Sequence, residues 1–216
     1  MRNEVNPAMD YMSDLFGAKD REIEDLFFGN NNHYNKMIQI SRSEAKILQL
    51  MIKMNNITTV VEVGTLAGYS AMCMASVLPE NGMVFSFEKN ERHAEIAMEN
   101  FSKINHLSNK IKLFVGSAEE RLSDIEPYGQ FDMMFIDANK GGYLKYLDWS
   151  EKNVKKLIIA DNTLLFNSVF LPDPPRGISK NSWSVVREFN KRLSDESKYC
   201  SVMLPTSEGM VIALKK

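Results

Sequence analysis

From residue 58 onward the chain alternates between two spacings of apolar residues. Short, nearly continuous apolar runs at 58–63, 82–88, 110–116, 131–137 and 156–161 read as buried strands. Between them, 70–78, 91–104, 118–125 and 143–154 carry apolar residues at helical intervals, and Pro79 stops the first of these. A further helix is predicted over 182–193. The closing segments "YCSVMLP" and "GMVIALK", joined by a short "TSE" turn, read as a hairpin. Strands alternating with helices predict an α/β fold with a doubly wound, mostly parallel seven-stranded sheet, ending in an antiparallel hairpin. Upstream, "YMSDLFGAKDREIEDLFF" has helical spacing and "NNNHYN" is a polar break. Ser41 then opens "RSEAKILQLMIKM", with Glu44 at capping-box distance. The expected organisation is a helical arm over 1–36 and one domain over 37–216.

Composition narrows the classes. A chain of 216 residues, 44% hydrophobic, suits one α/β domain with an appended arm. Its 26 basic and 28 acidic residues leave a net charge of −2, so no strong overall field points to nucleic acid or a membrane surface. No apolar run approaches the ~20 residues that cross a bilayer, and the N-terminus is polar where a signal peptide needs an apolar stretch. Cys73 and Cys200 have no CxxC or metal-ligand spacing, which predicts two reduced, buried thiols and a cytoplasmic protein. The fourteen methionines read as fillers of core gaps.

In a doubly wound sheet, ligands sit beyond the carboxyl ends of the strands. The first such end, "VEVGTLAGYS", has leucine at 66, where a dinucleotide fingerprint needs glycine, and no phosphate loop follows. A turn with glycines at 64 and 68 but no phosphate apparatus suits a nucleoside without phosphates. Glu88 ends the second strand, where an acid can accept both hydroxyls of a ribose, whether of NAD or of S-adenosylmethionine. Asp137 ends the fourth strand, and Asp161 and Asn162 end the fifth. Neighbouring parallel strands lie about 4.8 Å apart, so these oxygens can converge into the kind of site Mg²⁺ prefers. Lys140 reaches the same mouth and is a candidate base.

These segments, with "LPENGMVFSFEKN", "KIKLFVGSAEE", "FDMMFIDANKGGYLKYL", "LIIADNTLLFNSV" and "MLPTSEGMVIALKK", resemble the cation-dependent class I S-adenosylmethionine O-methyltransferases. That family includes the plant caffeoyl-coenzyme A enzymes, catechol O-methyltransferase and bacterial members of O-methyltransferase family 3. The resemblance implies that Glu62, Gly64 and Ser70 bind the methionine part of S-adenosylmethionine, with Thr65 in the same site and Gly68 and Tyr69 shaping the turn. It places Glu88 on the ribose, Ser117 and Ala118 against the adenine, and Ile38 and Ile40 of "MIQIS" near the cofactor. It implies a divalent cation, Mg²⁺ foremost with Mn²⁺ or Ca²⁺ as alternatives, on Asp137, Asp161 and Asn162. Asp137 also borders the cofactor, and Lys140 matches the general base. Ser117 and Asn139 stand where relatives usually have aspartate. Lys155-Lys156 replaces a Gly-Gly expected to form a turn before the fifth strand.

The expected reaction is methyl transfer to a hydroxyl of a catechol-like or other vicinal-oxygen small molecule, by a homodimer with no membrane attachment. A second reading keeps the chemistry but takes a hydroxylated uridine of tRNA as acceptor, bound by Arg176, Lys180, Arg187, Lys191 and Arg192 around Trp183. A non-catalytic cofactor-binding protein is a third. An NAD-dependent reductase is a fourth, opposed by Leu66.

Overall fold

The computed structural model describes residues 7–29 and 38–216. The polar break at 30–35 and the boundary expected between 36 and 37 lie outside the described residues. The chain forms two compact units, one ending at Ala118 and the other spanning Glu119–Lys216.

The first unit begins with helices α1 (Pro7–Phe16) and α2 (Arg21–Phe28). Asp20 caps α2 by accepting the Ile23 N–H at 3.3 Å. Helix α3 (Arg42–Met54) starts on the capping box read from its spacing: Ser41 Oγ accepts the Glu44 N–H at 3.2 Å, and Glu44 Oε2 accepts the Ser41 N–H at 2.7 Å. Then follow β1 (Thr59–Val63), α4 (Tyr69–Ala75), β2 (Met83–Glu88), α5 (Glu91–Lys103), α6 (Asn105–Ser108) and β3 (Ile111–Val115). Strands β1 and β3 both pair with β2 in parallel. The last four residues of β1 are buried, which is why that strand reads as an unbroken apolar run apart from Glu62.

In the second unit, α7 (Ala118–Arg121) leads from the boundary into a 3-10 segment, Leu122–Tyr128. Next come β4 (Phe131–Ile136), α8 (Tyr143–Asn153), β5 (Val154–Ala160), α9 (Lys180–Leu193), β6 (Tyr199–Leu204) and β7 (Met210–Lys215). The order is β4-β5-β7-β6, with β4 and β5 parallel and β7 antiparallel to both its neighbours. The seven strands are those of the mostly parallel α/β sheet with an antiparallel C-terminal hairpin that the alternation predicts.

Several local expectations change. β5 starts at Val154, so Lys155 and Lys156 are strand residues and not a turn, and Lys156 Nζ lies 3.4 Å from Asp132 Oδ1 across the β4–β5 pair. Cys73 is buried, but Cys200 is exposed on the outermost strand, β6. Helix α4 ends at Ala75, and the predicted 118–125 helix is a single α-turn followed by 3-10 structure. Among the described residues, no helix is long and apolar enough to cross a membrane.

Candidate active site

The first strand ends hold a buried acid. Glu62 is 0% exposed on β1, and an isolated carboxylate there would be costly without hydrogen-bond donors. Ser70 Oγ donates to its Oε1 and Ser86 Oγ to its Oε2, each at 2.5 Å. Thr65 Oγ1 lies 2.5 Å from Ser86 Oγ. Because the Ser86 proton is committed to Glu62, Thr65 is the donor in that pair, and the hydroxyls form a relay ending on the carboxylate.

The turn after β1 is pinned from two sides. Glu88 Oε2 accepts the Leu66 N–H at 2.8 Å and Glu88 Oε1 the Asn90 N–H at 2.9 Å. Asn100 of α5 donates to the Ala67 carbonyl at 2.9 Å. Gly68 has φ +93°, and a Cβ there would stand 2.4 Å from Phe101 Cε1, so this glycine serves close packing against α5. Tyr69 packs its ring 5.2 Å from Phe27 and 5.3 Å from Phe28 of α2, and burial pushes its phenol pKa well above the ordinary value. Gly64 sits at φ +103° directly after β1. Beyond β3, Ala118 is buried and Ser117 half-buried; ahead of α3, Ile40 is buried whereas Ile38 is 51% exposed.

A second cluster forms where β4 and β5 end. Their register pairs Ile136 with Ala160, so Asp137 and Asp161 leave the two strands side by side. Lys140 Nζ donates to Asn162 Oδ1 and to the Tyr143 hydroxyl at 2.7 Å each, and lies 3.5 Å from Asp137 Oδ1. The Tyr143 hydroxyl in turn donates to the Asp161 carbonyl at 2.7 Å. Asn162 Nδ2 donates to Asp161 Oδ2 at 3.2 Å. Asp137, Lys140, Asp161 and Asn162 are thus one connected group, with a positive charge held among carboxylate and amide oxygens. Among the described residues, no three His, Cys, Asp or Glu side chains gather as a metal-binding group; the third oxygen of this cluster comes from an amide. Asn139, the departure from aspartate, accepts the Tyr146 hydroxyl at 2.9 Å.

Two of the five basic residues considered for RNA, Arg187 and Arg192, are engaged in holding the fold. Arg192 pairs with Asp148 at 2.6 Å and Glu151 at 2.8 Å. Arg187 donates to the Val169 and Leu171 carbonyls and stacks 4.4 Å over Trp183, whose Nε1 donates to the Ser168 carbonyl. Two residues bonded into the clusters escaped the sequence reading, Ser86 and Tyr143, and so did the buried Glu208 of the β6–β7 turn. Ser86 and Tyr143 lie inside apolar patterns, and Glu208 sits in a hairpin turn where an exposed acid is the default.

The fold, with acids at its strand ends, is that of an α/β enzyme that binds a nucleoside-bearing ligand beyond the carboxyl ends of its strands. The family model described as O-methyltransferase matches residues 18–216, and the chain belongs to this family of S-adenosylmethionine-dependent enzymes. It is 34% identical over 173 residues to the catechol O-methyltransferase of Niastella koreensis, covering 76% of each chain. It is 30% identical over 188 residues to caffeoyl-CoA O-methyltransferase 1 of Nicotiana tabacum, covering 83% of this chain and 78% of that one. The O-methyltransferase from Bacillus cereus, solved in complex with SAH, superposes over 100% of both chains with a TM-score of 0.86 and 28% identity.

Proposed function

We propose that this O-methyltransferase acts on a hydroxyl of a catechol-like small molecule and uses a divalent cation held by Asp137, Asp161 and Asn162. The observation that carries the reading is the position of Lys140 Nζ, a cation bonded to the Asn162 amide oxygen and facing the Asp137 carboxylate. An all-oxygen set of two carboxylates and an amide suits a hard divalent ion such as Mg²⁺, with Mn²⁺ or Ca²⁺ as alternatives. The names of the two relatives add support, since catechol and caffeoyl groups both carry adjacent hydroxyls on an aromatic ring.

S-adenosylmethionine supplies a sulfonium methyl that is electrophilic along its carbon–sulfur axis. The buried Glu62 and its hydroxyl relay suit the methionyl end, and Glu88 retains acceptor capacity on both oxygens for ribose hydroxyls. Ser117 and Ala118 would line the adenine, and Ile40 would support the same site. A bound divalent cation would lower the pKa of an acceptor hydroxyl. Lys140 Nζ, once neutral, would take the acceptor's proton. Tyr143 and Asn162 hold that nitrogen in place, so the base is oriented before the acceptor arrives.

The exposed Tyr11, Met12, Leu15 and Phe16 of α1 support a homodimer contact through the arm. The tRNA reading draws less from the structure, because Arg187, Arg192 and Trp183 are engaged in holding the fold. The decisive experiment is an acceptor screen with small catechols, caffeoyl thioesters and undermethylated tRNA, each with Mg²⁺ and with a chelator. Turnover of catechols that the chelator abolishes is expected. Full turnover in chelator, or turnover of tRNA alone, would overturn the proposal.

A further inference from the structure

The backbone after β5 is unusual. Asn162, Leu165, Phe166 and Asn167 all have positive φ, at 56°, 47°, 53° and 56°. Left-handed backbone is unfavourable for a non-glycine residue, and such conformations persist only where the surroundings over-determine them. Here the surroundings are the turn between β6 and β7. Thr163 N–H donates to the Gly209 carbonyl at 2.9 Å and Leu164 N–H to the Glu208 carbonyl at 2.8 Å. The Glu208 side chain, only 3% exposed, accepts the Phe166 N–H on Oε2 at 3.1 Å. Within the turn, Leu165 N–H returns to the Asn162 carbonyl at 3.1 Å. Gly209 has φ +74°, and a Cβ there would meet Leu164 Cγ at 2.5 Å, so the two segments are in close contact.

We infer that Glu208 is a positioning residue: its hydrogen bond to the Phe166 amide holds the left-handed turn that aims the Asn162 amide oxygen into the Asp137–Lys140–Asp161 cluster. The inference deepens the proposed cation-assisted reading and rests on it. Glu208 lies in the β6–β7 turn, whereas the cluster residues follow the parallel strands β4 and β5, and it touches none of them in the contacts described, so it acts through the turn after β5. The carboxylate suits the task because it is a strong acceptor for a backbone N–H that the helix and sheet ladders leave out.

The test measures Mn²⁺ affinity from the electron paramagnetic resonance of the free ion, on the unmodified chain and on E208Q, E208D and E208A. S-adenosylhomocysteine affinity by calorimetry checks that each variant folds. E208Q keeps an acceptor oxygen at the same reach and E208D keeps the charge one methylene short. Positioning by the hydrogen bond therefore predicts E208Q within about 2-fold of the unmodified chain, and E208D and E208A about 10-fold weaker for Mn²⁺, with S-adenosylhomocysteine affinity unchanged. Mn²⁺ affinity that survives in E208A and E208D, or that falls in E208Q as far as in E208D, overturns the inference. If E208A does not fold, the E208Q and E208D pair decides. If the unmodified chain binds no Mn²⁺, the cation reading fails by itself. The positioning is then read from hydrogen exchange of the Leu165 and Phe166 amides, expected about 10-fold faster in E208D than in E208Q; equal rates overturn it.

Discussion

The turn that follows β1 and the cluster that follows β4 and β5 are both built on acids at strand ends, but they treat charge in opposite ways. Glu62 and Glu88 take their hydrogen bonds from neutral donors, namely the hydroxyls of Ser70 and Ser86 and the backbone amides of Leu66 and Asn90. Asp137 and Asn162 instead face a full positive charge, the Lys140 ammonium. The first arrangement fixes the position of each carboxylate. The second holds its cation, the Lys140 ammonium, between the Asn162 amide oxygen and the Asp137 carboxylate. Under the proposed function, the first region would hold the cofactor and the second would carry the chemistry.

The largest expected effect attacks the second region. D137A removes a carboxylate from the cluster and should lower methyl transfer to a catechol by on the order of 1,000-fold with Mg²⁺ present. S-adenosylhomocysteine affinity, measured by calorimetry, should stay within a few-fold if the two regions are functionally separate. Equal loss of both would collapse the comparison. E88A makes the reciprocal test. It should weaken S-adenosylhomocysteine about 100-fold, because it deletes the ribose acceptor and releases the Leu66 and Asn90 amides together. Mn²⁺ binding to E88A should be unchanged.

A smaller effect probes the relay. S86A deletes one hydroxyl donor from Glu62 and the acceptor of Thr65, and should weaken S-adenosylhomocysteine about 10-fold, the equivalent of one buried hydrogen bond. S70A, on the other oxygen of Glu62, should match it. A wild-type affinity in both variants would show that the geometry of Glu62 does not depend on its donors.

The contrast also separates what could be read along the chain from what could not. Asp137, Asp161 and Glu88 were legible because each closes an apolar run, and a run of that kind marks a strand whose end is a ligand position. Ser86 was not. It faces Glu62 across the β1–β2 register, and a serine inside "MVFSFE" gives no sign of which neighbour it meets. The Lys155-Lys156 pair misled for a related reason. Lysine reads as a turn or surface residue, yet β5 begins at Val154, two residues before the apolar run read at 156–161, and Lys156 pairs with Asp132 of the neighbouring β4. The exposure of Cys200 follows from the edge position of β6, which depends on strand order and not on local pattern. The same limit hid the engagement of Arg192, whose partners Asp148 and Glu151 lie on α8, far along the chain.

The smallest effect concerns the support of the second region, and its sign follows from linkage. Tyr146 donates to Asn139, beside the cluster, and is pushed up to about 12, first by burial and then by the Glu119 carboxylate. A folded pKa above the ordinary tyrosine value of 10.0 means that the native state holds this proton more tightly than the unfolded chain does. The stabilisation is fully present below pH 10.0 and is lost as pH rises toward about 12. Y146F has no phenol to ionise, so its stability should fall less steeply across that window than that of the unmodified chain. At pH 8 it should instead be less stable by about 1 kcal/mol, the worth of the lost hydrogen bond to Asn139. Urea denaturation of both proteins at intervals from pH 8 to pH 12 checks both parts. Tyr69 and Tyr199 are also buried and raised, and add the same sign to both curves, so only the difference between the two reports on Tyr146. Parallel curves would mean that Tyr146 does not hold its proton against alkali, and that the frame around Asn139 is looser than the 2.9 Å contact implies.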